Sequence, residues 1–172
     1  KKVITLVARM LYDKGIKEFV EAAEIVKNKI SNIEFYLVGP IDNENPARIE
    51  KKQIILWESK KLILWKNYQK DIRKIYSYTT IACLPSYREG MPKVLLEAAA
   101  CGIPVITTDT IGCREAIIPG FTGDLVPIQN SNELANTIIN LVMDKNRLNK
   151  YSSNARKFAE NKFDIQGVIA KT

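Results

Sequence analysis

The sequence predicts a three-layer α/β domain, with helices on both faces of a parallel sheet of about six strands. Apolar runs of five or six residues alternate with longer segments of helical period, the pattern of repeated strand–helix units around such a sheet. The 172 residues, 46% of them hydrophobic, suit one core, and no composition shift marks a linker between two. No apolar run approaches the ~18 residues that a membrane-crossing helix needs.

Each element has its own local signal. Val3 to Ala8 reads as a buried first strand, followed by a polar turn and an amphipathic helix from about Gly15 to Ile30 that places Phe19, Ala22, Ala23 and Val26 on one face. Ser31 and Asn32 close it, and Ile33 to Val38 is the second strand. Gly39-Pro40 opens a polar loop, IDNEN, that ends at Pro46, a residue suited to the first position of a helix running to about Ser59. Leu62 to Trp65 makes a third strand, Gln69 to Tyr76 a short helix, and Thr79 to Leu84 a fourth strand, β-branched at its start. Pro85 to Met91 is a loop; Pro92 to Ala100 is a helix stopped by Cys101-Gly102; Ile103 to Thr107 is the fifth strand. A brief helix near Cys113 to Ile117, a turn at Gly120 to Gly123 and a last strand, Asp124 to Val126, follow. Helices at about Ser131 to Met143 and Lys145 to Asn161 complete a Rossmann-like domain without internal repeats.

Composition narrows the function. The balance of 26 Lys+Arg against 19 Asp+Glu, net +7, favours anionic partners, but the basic residues are scattered and carry no nucleic-acid-binding signature. A phosphorylated small molecule fits better than DNA or RNA. Three cysteines without a CxxC pair suggest neither a disulfide framework nor a zinc site, and Cys83, Cys101 and Cys113 are expected to be small buried hydrophobes. That cysteine pattern makes a reducing cytoplasm the expected compartment, and Lys1 to Arg9 turns polar too soon for a secretory signal. With no histidine in the chain, any imidazole base must come from elsewhere.

Parallel sheets of this kind bind ligands at the carboxyl ends of their strands, where the strand order reverses. After the fourth strand stand Glu89-Gly90-Met91-Pro92-Lys93-Val94, with Glu97 one and a half turns into the helix. Gly90 lets the backbone approach a ligand, and Pro92 suits the first helical turn. The N–H groups of Met91, Lys93 and Val94, at the positive end of the helix dipole, can hold a phosphate. Glu97 can accept hydrogen bonds from two ribose hydroxyls, while Glu89 stays near whatever the phosphate carries. After the first strand, Arg9 offers a planar two-toothed grip and Lys14 a mobile point charge, a pair suited to a diphosphate. Neither GxxxxGK[ST] nor GxGxxG occurs.

Taken together, ARMLYDKGI, FYLVGP, LPSYREGMPKVLLEAAACGIPVITTD and GCREAIIPGFTGDLVP closely resemble the family-four glycosyltransferases of the GT-B fold, over nearly the whole chain. The resemblance implies the donor-binding C-terminal domain, spanning 1–172, of a retaining enzyme. In it Arg9 and Lys14 contact the diphosphate, Glu89 the transferred sugar and Glu97 the ribose. It also implies an N-terminal domain, absent from this chain, that supplies the acceptor site and commonly a histidine. The loop LVGPIDNENP is similar to that of bacterial members that build surface polysaccharides or lipid-linked oligosaccharides, often from UDP-linked hexoses or N-acetylhexosamines. Such enzymes act in the cytoplasm, some at the inner face of the membrane as peripheral proteins.

The base is expected against Gly39, Pro40, Asn67 and Tyr68, with uracil favoured over guanine. The third strand usually runs into a glycine in this family; here Asn67 is the substitute, because Asn tolerates the left-handed conformation. No metal and no cofactor are expected, since Arg9, Lys14 and the helix start supply the positive charge. Arg114 and Glu115 are expected to cap and brace the short helix, and Trp57 and Trp65 to pack in the core. Tyr87 and Arg88 are placed to touch a donor sugar or simply to occupy a loop tip. An epimerase or sugar-phosphorolysing enzyme of the same two-domain plan, and a nucleotide-binding module without activity, are the alternatives.

Overall fold

The computed structural model describes residues 1–171, with side chains through Lys162. Six strands form one all-parallel sheet: β1 Lys2–Val7, β2 Ile33–Val38, β3 Leu64–Trp65, β4 Ile81–Leu84, β5 Val105–Thr108 and β6 Gly123–Val126. Their order is β3-β2-β1-β4-β5-β6, so the chain reverses direction across the sheet between β1 and β4. Among the described residues seven α-helices complete the layers: α1 Ile16–Lys29, α2 Lys51–Ser59, α3 Ile72–Tyr76, α4 Lys93–Ala100, α5 Ile111–Arg114, α6 Ser131–Val142 and α7 Lys145–Lys171. Helix α1 packs on α6, and α4 packs on α7. Among the described residues no helix is long and apolar enough to cross a membrane.

The core follows from the two periodicities. Alternate residues of β2, Phe35 and Leu37, meet the apolar stripe of α1, where Phe19 packs edge-on against Phe35 with ring centroids 5.3 Å apart. Both neighbours of β4 are strands, and all four of its residues are buried, as the continuous apolar run anticipates. Cys83 and Cys113 are buried among these groups, and burial pushes the Cys83 thiol up from its ordinary pKa. Cys101 departs from expectation: it ends α4 on an exposed face.

Element boundaries differ where local polar bonds outweigh pattern. Helix α2 starts at Lys51 rather than Pro46, because 46–47 form a turn that leads Arg48 into an antiparallel bridge with Leu11, and the Ile49 N–H donates to the Met10 carbonyl at 2.9 Å. Helix α3 starts at Ile72 because Asp71 caps it, accepting from the Arg73 N–H at 3.1 Å. Strand β3 is only two residues long at the sheet edge, and α5 begins two residues before its expected start. Trp65 is half-buried, and its indole N–H donates to the Gly39 carbonyl at 2.8 Å.

Candidate functional site

The reversal between β1 and β4 opens a crevice at their carboxyl ends, of about 240 Å³, lined by Val7, Ala8, Arg9, Lys14, Leu84, Glu89 and the 91–94 segment. Residues 75 positions apart therefore share one wall: the Lys14 ammonium donates to Glu89 Oε1 at 2.7 Å, with both side chains largely shielded from solvent. Arg9 is more open and is held by Asp42 of the β2–α2 loop at 2.9 Å. Across the crevice, Pro92 precedes the first turn of α4, and the N–H groups of Met91, Lys93 and Val94 find no acceptor among the described residues. Two cations and unsatisfied amides at a helix N-terminus give this wall a positive electrostatic character, the kind of surface that attracts an anion. A larger depression, 460 Å³, lies between Gly102 and α7, near the amino end of β5 and away from these groups.

The loop carrying Glu89 is fixed from below. The buried Ser86 hydroxyl lies 3.0 Å from the Asp13 carbonyl and 2.9 Å from that of Arg88, while Thr108 donates to the Ser86 carbonyl at 2.6 Å. The Tyr87 N–H donates to Asp13 as well, at 2.9 Å. Gly112 supports the loop on its other side: a Cβ there would lie 1.9 Å from the Glu89 carbonyl oxygen and 2.2 Å from that of Gly90. At Gly90 itself an added Cβ would meet nothing within 4 Å, so the glycine borders open space.

The remaining candidates divide into two groups. Glu97 does not line the crevice; it is exposed one turn further along α4, on a groove of about 380 Å³ shared with Lys70, Asp71, Ile72 and Tyr76. Val94 connects the two depressions, since its side chain lines the crevice and its carbonyl accepts from the Tyr76 hydroxyl at 2.8 Å. Gly39 and Asn67 meet at the carboxyl ends of β2 and β3, where the Gly39 N–H donates to the Asn67 carbonyl at 2.9 Å. Asn67 is left-handed with φ 42°, and its side-chain oxygen accepts from the Tyr68 N–H at 2.7 Å. Pro40 accepts from Met10, and Tyr68 stands exposed above the turn.

Several contributors escape sequence reasoning. Asp42 is one acid in a polar loop, and no spacing pairs it with Arg9. Gly112 stands in the GCRE turn, but its reason, close approach to the Glu89 loop, exists only in three dimensions. Tyr87 turns inward, away from the crevice, whereas Arg88 is exposed. Arg114 braces α5 by pairing with Asp109 at 2.5 Å, and Glu115 pairs with Lys162 at 3.5 Å.

Against known proteins, the family model described as glycosyl transferases group 1 matches residues 1–158. The chain belongs to the group 1 glycosyl transferases. The chain is 31% identical over 164 residues to the capsular polysaccharide biosynthesis glycosyltransferase CapM of Staphylococcus aureus, covering 95% of this chain and 43% of the relative. It is 35% identical over 150 residues to the N,N'-diacetylbacillosaminyl-diphospho-undecaprenol alpha-1,3-N-acetylgalactosaminyltransferase of Campylobacter jejuni, covering 87% of this chain and 38% of the relative. The chain thus spans about two-fifths of the length of both. Among solved structures, Alr3699/HepE of Anabaena, in complex with UDP and glucose, shares the fold with a TM-score of 0.85 at 23% identity. That likeness covers 98% of this chain and 47% of that one.

Proposed function

We propose that this chain is the donor-binding domain of a retaining glycosyltransferase that takes a hexose or N-acetylhexosamine from a UDP-sugar and passes it to a glycan or lipid-linked acceptor. The observation that carries the reading is the crevice at the sheet reversal, where Arg9, Lys14 and the free amides before α4 converge. In this reading the diphosphate lies along the start of α4, and the ribose extends toward Glu97. The base continues toward the turn formed by Gly39, Pro40, Asn67 and Tyr68. Sugar departure leaves negative charge on the diphosphate, which Arg9, Lys14 and the helix terminus offset, without a metal or cofactor. Glu89 faces the sugar side of the same crevice.

Relatives named for transfer to diphospho-undecaprenol-linked glycans support the acceptor class, and a UDP complex of a protein with this fold supports the base. An acceptor would be positioned by a second domain across the crevice, so the present chain alone binds donor and transfers little. Calorimetric titration with UDP, GDP and ADP tests the proposal: UDP should bind best, and Glu97→Ala should weaken it by ~1–3 kcal/mol, the scale of hydrogen bonds lost to a charged group. Unchanged affinity in that variant would remove Glu97 from the site; no binding of any of the three nucleotides would remove the proposal.

A further inference from the structure

One buried carboxylate near the site has no place in the scheme above. Glu18, in the first turn of α1, is 7% exposed; its Oε1 accepts from the Tyr87 hydroxyl at 2.5 Å, and its Oε2 is buried with no hydrogen-bond partner among the described residues. A second orphan, Asp13 Oδ1, belongs to the residue whose carbonyl accepts from Tyr87 and Ser86. Unpartnered buried carboxylate oxygens destabilise a fold, and a pair of apolar side chains in the places of Glu18 and Tyr87 would fill the space without that cost. Stability therefore gives no reason for these residue types.

Geometry supplies one. Tyr87 is two residues before Glu89, and the peptides between them are held by the Ser86 hydroxyl and packed against Gly112. The hydroxyl of Tyr87 is thus the point where the Glu89 loop is fastened to α1, with Gln129 of the β6–α6 turn alongside. Burial and the neighbouring Glu18 push the phenol up to about 12, so it remains a donor throughout the neutral range.

We infer that Tyr87, anchored by the buried Glu18, is a positioning residue that sets the depth at which Glu89 meets the sugar of a bound nucleotide sugar. The inference rests on the donor-site reading and deepens it. It acts on the sugar end of the ligand, so its mark is the ratio of UDP-sugar affinity to UDP affinity.

The test measures both affinities by calorimetry on this chain, using whichever of UDP-glucose, UDP-galactose, UDP-N-acetylglucosamine and UDP-N-acetylgalactosamine binds the wild type most tightly. In the double variant Glu18→Leu/Tyr87→Phe the ratio is expected to fall about tenfold while the melting temperature stays equal or rises, because an orphaned carboxylate has gone. Glu18→Gln, whose amide oxygen still accepts from Tyr87, is expected to keep the ratio within twofold. An unchanged ratio in the double variant, or a lost ratio in Glu18→Gln, overturns the inference. So does a lower melting temperature with both affinities falling in parallel, the behaviour of a purely structural contact. A wild type that binds UDP and all four sugars equally also overturns it, while one that binds no UDP removes the donor-site reading together with it.

Discussion

Exchanging Glu89 for glutamine should tighten the binding of bare UDP, although Glu89 lies in the proposed site. Lys14 and Glu89 meet at 2.7 Å in the crevice, so a phosphate that also reaches Lys14 comes to rest about 5 Å from the carboxylate. Two like charges at that separation repel by roughly 3 kcal/mol at an effective dielectric of 20 and by under about 1 kcal/mol in water. The crevice is open on one side, which places the effect between these limits, at ~1–2 kcal/mol or a ~5–30-fold gain in affinity. Glutamine keeps the shape and an acceptor for Lys14, so the gain reports charge rather than collapse. Calorimetry at low salt is the assay, with a repeat at high salt, where screening should shrink the gain. A UDP-sugar should gain less than UDP, because the carboxylate's contact with the sugar is lost. If Glu89→Gln weakens UDP as much as Lys14→Ala does, the phosphate does not sit beside this pair, and the placement of the diphosphate is wrong.

Other expectations follow from the same geometry. Lys14→Ala should weaken UDP by ~1.5–3 kcal/mol, and the more exposed Arg9→Ala by about 1 kcal/mol with a steeper salt dependence; equal losses and equal salt slopes would contradict the difference in shielding. Gly112→Ala forces a methyl onto the carbonyls of Glu89 and Gly90 and should destabilise the chain by ~1–3 kcal/mol, read as a lower melting temperature, with weaker donor binding beside it. No thermal change there would mean that the α5 contact is soft. At alkaline pH the unfolded chain loses phenolic protons from about pH 10, whereas folded Tyr87 holds its proton to about 12, through burial first and then Glu18. The folded state then binds more protons than the unfolded one, so stability should decline as pH rises through this interval. In the difference spectrum of wild type minus Tyr87→Phe, the missing phenol should ionise near pH 12; ionisation near 10 would refute the buried contact.

Charge pairing within the crevice explains how it can exist at all. Two cations and a row of unsatisfied amides gathered in one crevice repel one another and destabilise the fold unless something answers them. Here each cation is held by a carboxylate from another loop, Lys14 by Glu89 and Arg9 by Asp42. A diphosphate would take over from those acids. The ion pairs hold both cations in place, and under the donor-site proposal the same acids would oppose a bound diphosphate, so removing one of them should strengthen nucleotide binding.

How much of this was visible beforehand depends on the range of the interaction involved. Apolar runs and helical stripes are local, so all six strands and the helices between them could be read from residues a few positions apart. The juncture of Lys14 with Glu89 could be anticipated only through strand order, because the rule that ligands gather where the order reverses turns a separation of 75 residues into adjacency. Where a feature depended on side-chain direction, sequence reasoning had no access. The sequence is compatible with Tyr87 at a loop tip or against a sugar, and the side chain instead turns to a carboxylate on α1, Glu18. The preference of proline for first turns predicts a helix from Pro46, but the turn at 46–47 and the bridge of Arg48 with Leu11, which no local pattern announces, delay it to Lys51. Glu97 shows the remaining limit. Its position on α4 was fixed by spacing from Glu89, but whether that turn faces the phosphate crevice or the next groove depends on the rotation of the helix about its axis. That rotation is set by Leu95, Leu96, Ala98 and Ala99 seeking the core, which leaves Glu97 with Tyr76 and Lys70, one step along the line a nucleoside would follow.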